Sequence, residues 1–182
     1  FAATANAVEL AGAKPIFVDV DKKNLLICEK SLLKKINKKT KAIIAVHISG
    51  RGNNIKNILK IAKNKKIYLI EDAAEAFMSK YEKKYLGTFG DMGCLSFAPN
   101  KIITTGQGGV VVTNNKSLYK KLIRLKDQGR VGPTTGGEDK YVSFGYNFKF
   151  TNLQAALGLS QLSDIKKRMN ILINNYKFYK KN

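Results

Sequence analysis

The sequence predicts an α/β fold: a mostly parallel central sheet with helices on both faces. Two observations carry this. Short continuous apolar runs recur at residues 15–20, 42–47 and 67–70, and strands buried on both faces read as such runs. Helical spacing fills the gaps between them, and strand–helix alternation is the pattern of a parallel sheet. The bulk agrees. A chain of 182 residues, 44% hydrophobic and 25% charged, has the apolar surface for one core and excludes a disordered tail. At that length a domain buries roughly 70% of its unfolded surface.

The elements follow in order. Residues 4–11 read as a helix that stops at Gly12, and Pro15, Ile16, Phe17, Val18, Asp19 and Val20 as a buried strand. Ser31 is a candidate cap for a helix over 32–36. Residues 42–47 form the second strand, ending at His47. Ile55, Ile58, Leu59 and Ala62 give the next helix, closing near Asn64. The strand 67–70 runs into Glu71 and Asp72. Residues 95–97 and 109–113 are further strands, Leu118, Leu122 and Leu125 mark a helix, and 153–162 and 165–179 are two more. Parallel sheets bind ligands at the carboxyl ends of their strands. This directs attention to His47, Asp72 and the turn after Ser96. The loop-like stretch 132–137 is expected to cover a site.

The formal net charge is +20, from 33 Lys and Arg against 13 Asp and Glu. The lysines lie in short clusters along the whole chain, such as Lys34-Lys35, Lys63 to Lys66 and Lys120-Lys121. That spread reads as solvated helix faces rather than one nucleic-acid surface. Neither zinc-finger spacing nor a base-stacking aromatic stretch occurs. Two cysteines, Cys28 and Cys94, are too few for a disulfide scaffold and read as semi-buried thiols of a reducing compartment. No run approaches the ~20 apolar residues that span a membrane. The sequence begins at Phe1 without a signal-like segment, so a cytoplasmic protein, and a piece of a longer one, is expected.

Two positions can do chemistry. Asp72 follows a buried strand, where an acid faces either a ligand or, as a helix cap, its own backbone. Lys101 lies in Ser96-Phe97-Ala98-Pro99-Asn100-Lys101, ahead of Thr105-Gly106-Gln107-Gly108-Gly109. A lysine in such a turn is either a nucleophile or the solvated tip of a hairpin. His47, the single histidine, reads as a strand-end packing or hydrogen-bonding residue. Tyr146 and Phe148 are expected to pack.

Glu71-Asp72-Ala73-Ala74-Glu75-Ala76, Gly90-Asp91-Met92-Gly93, the Ser96 to Gly109 stretch and Gly145-Tyr146-Asn147-Phe148-Lys149-Phe150-Thr151-Asn152 occur in that order. Together they resemble the DegT family of sugar aminotransferases, enzymes of fold type I that use pyridoxal 5′-phosphate (PLP). The opening Phe1-Ala2-Ala3-Thr4-Ala5-Asn6-Ala7 and Val46 to Gly50 fit the same family. The resemblance implies that residues 1–182 are part of the large PLP-binding domain, with an N-terminal segment and a C-terminal small domain lying outside them.

It also implies roles. Lys101 matches the lysine that forms the Schiff base. Asp72 matches the acid paired with the pyridinium nitrogen, Ser96 a hydroxyl contact to the cofactor phosphate, and Phe1 the aromatic stacked on the ring. Asn147 matches a residue that reaches the phosphate of a neighbouring subunit, which implies a homodimer with shared sites. Glu75 stands where the family has His or Gln near the phenolic oxygen, and Gln107 where it often has Glu. The activity implied is amino transfer from an amino acid, glutamate by analogy, to a nucleotide-linked keto-sugar, with no metal, nucleic acid or membrane involved. Because Lys101 is present, transamination is favoured over the dehydratase branch. A catalytically altered member acting as a regulator or PLP-binding protein is the alternative, and a basic nucleic-acid-binding module a lesser one.

Overall fold

The computed structural model describes residues 1–52, 54–132 and 140–181. The expected cover loop at 132–137 thus falls outside the described residues except for Gly132. The chain divides into two compact units: Phe1–Ser96 with Val110–Asn114, and Phe97–Gly109 with the segment from Asn115 onward.

The first unit holds α1 (Ala2–Leu10), α2 (Glu29–Lys35), β1 (Ala42–Val46), α3 (Ile55–Lys65), β2 (Tyr68–Asp72), β3 (Lys80–Tyr81), β4 (Lys84–Tyr85), β5 (Met92–Ser96) and most of β6 (Gly109–Val112). The sheet order is β1-β2-β5-β6. β1 pairs parallel with β2 in the register Val46↔Asp72, and β2 parallel with β5 in the register Asp72↔Cys94. The carboxyl ends of three strands therefore share one edge.

Ile43, Ala45 and Leu69 are buried on one sheet face. They pack with Leu32 of α2 and with Ile55, Ile58 and Ala62 of α3. The three α3 residues recur at helical spacing, so one stripe of the helix enters the core while its lysines stay in water. The helix ends at Lys66 in the left-handed conformation (φ 54°). On the other face Ile44, Val46 and Ile70 are half-buried.

At the centre of this core stands a carboxylate. Glu71 is 0% exposed and His47 2%. Glu71 Oε2 accepts from His47 Nε2 (2.8 Å) and from the Gly87 amide (2.8 Å). Its Oε1 accepts from the amides of Phe89 (2.6 Å) and Gly90 (2.7 Å). Burial pushes the Glu71 carboxyl up, but the bonds from His47, Gly90 and Gly87 outweigh it, and the group ends below its usual value. The other ring nitrogen of His47, Nδ1, faces the Arg51 carbonyl at 3.1 Å. Both ring nitrogens of His47 thus have a partner. His47 is a packed, hydrogen-bonded strand-end residue, as its sequence position suggested.

Several local expectations changed. Residues 15–20 form no strand. Val20 makes a single antiparallel bridge to Ile27, while Ile16 and Phe17 are exposed; no neighbouring strand offers the run a ladder. Ser31 does not cap α2, whose N-cap is Cys28; its Oγ accepts from the Asp19 amide (3.0 Å) instead. The strand expected at 95–97 starts at Met92, because pairing to β2 fixes it there. The β3–β4 hairpin was unforeseen. Its two-residue turn sets Glu82 (φ 46°) and Lys83 (φ 69°) left-handed, which twists like its strands but lacks the usual Asn-Gly signal.

The second unit holds α4 (Lys116–Lys126), β7 (Arg130–Val131), β8 (Lys140–Tyr141), α5 (Asn152–Leu162) and α6 (Ile165–Lys181). Asn115 caps α4 through Ser117 and Leu118. Thr151 and Gln154 form a capping box on α5. Among the described residues, no helix is long and apolar enough to cross a membrane.

Replacing Glu71 by Ala strands four buried donors and is expected to cost about 3–5 kcal/mol, read from urea unfolding at pH 7. The pH dependence has a definite sign. Because the folded group lies below its usual value of 4.5, its stabilisation is complete above that pH and is lost as pH falls through the depressed folded value. Comparing unfolding midpoints at pH 7 and pH 3 in the wild type and Glu71→Gln checks this; the variant should lose less between the two.

Candidate active site

The edge where β1, β2 and β5 end collects the first group of candidates. Asp72 is the last residue of β2 and half-buried. The ladder brackets it: His47 N donates to Asp72 O (2.9 Å), and Ala73 N to Cys94 O (2.9 Å). No helix follows Asp72. Its Oδ1 accepts from the Ala74 amide at 3.2 Å, closing an Asx turn. Its Oδ2 accepts from the hydroxyl of Thr4, on α1, at 2.6 Å. Two of about four acceptor positions of the carboxylate are filled, leaving capacity for a further cationic donor.

Ser96 ends β5 on the same edge, two residues beyond the Asp72 partner Cys94. Burial, then the Asp72 charge, pushes the Cys94 thiol up, so it stays a protonated, inert neighbour. Phe1 is the N-cap residue of α1 and fully exposed.

Glu75 lies in the turns after Asp72 and does not hang free. Its Oε2 accepts from the Ser49 amide at 2.8 Å. Ser49 has left-handed backbone angles (φ 51°, ψ 34°), a conformation costly for a non-glycine residue. The Glu75 carboxylate is thus committed to holding the turn that leaves β1.

Lys101 belongs to the second unit and sits in an ordered loop. Thr105 N donates to Phe97 O (3.0 Å), and Phe97 N to Gly108 O (2.9 Å). The Thr104 hydroxyl donates to Phe97 O as well (2.8 Å). Ile103 and Thr105 are buried, and Lys101 N donates to Ala98 O (3.1 Å), closing its own turn. Among the described residues the Lys101 amine has no hydrogen-bond or ion-pair partner. Gly108 (φ 145°) lies where a Cβ would strike the Phe150 ring and meet Thr105 Oγ1 at 2.8 Å. The glycine-rich segment therefore lets the loop base close. Gln107 contributes its carbonyl, which accepts from Thr105 Oγ1 (2.8 Å) and Gln154 Nε2 (3.2 Å).

Asn147 is exposed and forms an isolated antiparallel bridge with Asp127. Lys149 pairs with Asp127 at 2.7 Å, and this contact, with neighbouring cations, holds the Asp127 carboxyl below its usual value. Tyr146 and Phe148 pack, as expected, but against each other at the surface. They stack on each other, centroids 4.7 Å apart and planes within 3°, with Phe144 edge-on to Tyr146. Phe148 stays 70% exposed. Alternation along an extended segment puts these residues on one face, and the spacing 144, 146, 148 was a visible signal for that.

Sequence reasoning missed Thr4 and Glu71. A hydroxyl inside the apolar α1, and a carboxylate inside a buried strand, were the available signals. No cluster of three or more His, Cys, Asp or Glu suited to a metal occurs among the described residues.

The fold defines the class: a mixed α/β architecture with a mostly parallel central sheet, as in fold type I aminotransferases. The chain belongs to the DegT/DnrJ/EryC1/StrS aminotransferase family, whose model matches residues 1–182. It is 45% identical over 162 residues to the GDP-perosamine synthase of Escherichia coli O157:H7, covering 89% of this chain and 44% of that protein. The GDP-perosamine synthase of Vibrio cholerae is 40% identical over 167 residues, covering 92% and 45%. Among solved structures, Helicobacter pylori PseC, an aminotransferase involved in the biosynthesis of pseudoaminic acid, superposes with a TM-score of 0.85 at 35% identity, covering 91% and 44%. The chain thus spans about half the length of the curated relatives it matches.

Gly108→Ala should cost about 1–3 kcal/mol through its disallowed φ, and the loss should appear as a lowered thermal unfolding midpoint.

Proposed function

We propose that the protein containing this chain is a PLP-dependent aminotransferase that moves an amino group from an amino acid, glutamate by family analogy, to a nucleotide-linked keto-sugar. The observation that carries this reading is Asp72: a half-buried carboxylate at the end of a central parallel strand, held by two donors and with acceptor capacity left. The donor set suits the cofactor. Lys101 offers an amine unengaged among the described residues, and Glu75, a charge that would oppose a phenolate, is taken by the Ser49 amide.

When bound, PLP supplies an electron sink for negative charge at the amino donor's α-carbon. Asp72 holds the proton on the ring nitrogen, which keeps that sink effective. Lys101 Nζ would anchor the cofactor and, when its amine is free, would act as the base that takes the donor carbon's proton and the acid that delivers it to the cofactor carbon. The Ser96 hydroxyl would bind the phosphate, and the Phe1 ring would stack on the pyridine. Asn147 reaches the phosphate of a second copy, so the working unit is a homodimer. The large domain takes in residues 1–182, and the compartment is the cytoplasm. GDP-linked keto-sugars are the first substrates to try, since two relatives carry GDP-perosamine in their names. The +20 charge draws a diphosphate toward the protein.

The full-length protein purified with PLP should be yellow, and borohydride reduction should place the label on Lys101 in a peptide mass map. Lys101→Ala should lose at least about 10³-fold in turnover and take no label. A colourless wild type without label would overturn the reading.

A further inference from the structure

Helix α1 poses a question that the proposed reaction leaves open. It has no buried residue, and Leu10 at its end is exposed. Packing therefore contributes little to where it lies. Among the described residues, one hydrogen bond ties it to the sheet: the Thr4 hydroxyl to Asp72 Oδ2, at 2.6 Å. That distance is in the range of charge-assisted O–H···O⁻ bonds, roughly twice as strong as neutral ones. Thr4 is the third residue of the helix and Phe1 its N-cap, so the two stand one turn apart on the same side.

We propose that Thr4 is a positioning residue for the cofactor ring. Its hydroxyl fixes the rotation of the Asp72 carboxylate from one side, as the Ala74 amide does from the other. The same bond pins α1, and with it Phe1. One hydroxyl thereby couples the group that faces the ring nitrogen to the group that covers the ring. This rests on the aminotransferase reading above and adds to it a residue that contacts neither cofactor nor substrate.

A surface threonine on a helix would not need this partner. β-Branched residues lower helix propensity, so alanine, frequent elsewhere in α1, would serve the helix better. The Thr4 methyl also separates two roles, since Val keeps the shape and Ser keeps the hydroxyl.

The test uses full-length protein carrying Thr4→Val, Thr4→Ser or Thr4→Ala, with three readouts: PLP affinity, the pH midpoint of the cofactor's visible band, and thermal unfolding. Thr4→Val should bind PLP about 10-fold more weakly. Its visible-band midpoint should shift to higher pH by roughly half a unit or more, because a loosened carboxylate holds the ring's positive charge less well. Thr4→Ser should restore both to within about twofold of wild type. Thr4→Ala should behave as Val does while unfolding at or above the wild-type temperature, which separates positioning from a structural role; if Val fails to fold, Ala and Ser decide the matter. Wild-type affinity and midpoint in Thr4→Val and Thr4→Ala would overturn the proposal, as would a Ser variant as impaired as Val. A wild type that takes no PLP would overturn the aminotransferase reading too, whereas equal binding by wild type and Val overturns the Thr4 role alone.

Discussion

A buried carboxylate organises the first unit. Glu71 lies in the middle of the sheet, where an unpaired charge would cost several kcal/mol, so everything around it must supply donors. Four do: one imidazole and three backbone amides. They come from two stretches of chain, the end of β1 and the segment 87–90. His47 directly follows β1, Gly87 follows the β3–β4 hairpin, and Phe89 and Gly90 lead into β5. The carboxylate therefore gathers two strand termini and a loop without regular structure. The glycines are part of the same constraint. A Cβ on Gly90 would approach Leu69 atoms, and one on Gly93 would overlap the Gly87 backbone, so close strand-to-loop contact needs their absence.

This network explains how an acid can be presented at the sheet edge. Glu71 and Asp72 are consecutive and point to opposite faces of β2. Anchoring Glu71 through four bonds fixes the strand's register and rotation, and Asp72 inherits that precision without making the contacts itself. Its own bonds, to Ala74 and Thr4, set only the last torsion. Buried networks rigidify when every member is satisfied, and sites on such strands are placed more accurately than sites on loops. Lys101 shows the complementary solution. It lies on a loop, but the loop is closed at its base by bonds at Phe97 and weighted by buried Ile103 and Thr105.

The legible part of the sequence was the part governed by periodicity. β1, α3, β2 and the helices after Asn115 could be read because apolar spacing decides them. Asp72, Ser96 and Lys101 could be singled out because strand ends and glycine-rich turns are local signals. Residues 15–20 show the limit: the run has strand composition, but strand formation needs a partner, and pairing is not a local property. Ser31 was misread for a related reason. Ser31 lies inside the first turn, three positions past the N-cap Cys28, and tertiary contact with Asp19 decided its bond. The Glu82-Lys83 turn has no sequence signal at all. Thr4 and Glu71 went unread because each acts through a residue about 24 to 68 positions distant.

The same logic bears on Glu75. In the sequence it stands where the resemblance implies His or Gln. Placed in the fold, its carboxylate accepts from Ser49, whose left-handed backbone needs an external hold. The contact steadies a backbone angle that is costly for a non-glycine residue, which gives Glu75 a structural role in the turn. The turn after β1 is held by a carboxylate from the turn after β2, and the two neighbouring strand ends are tied together at the edge where Asp72 emerges.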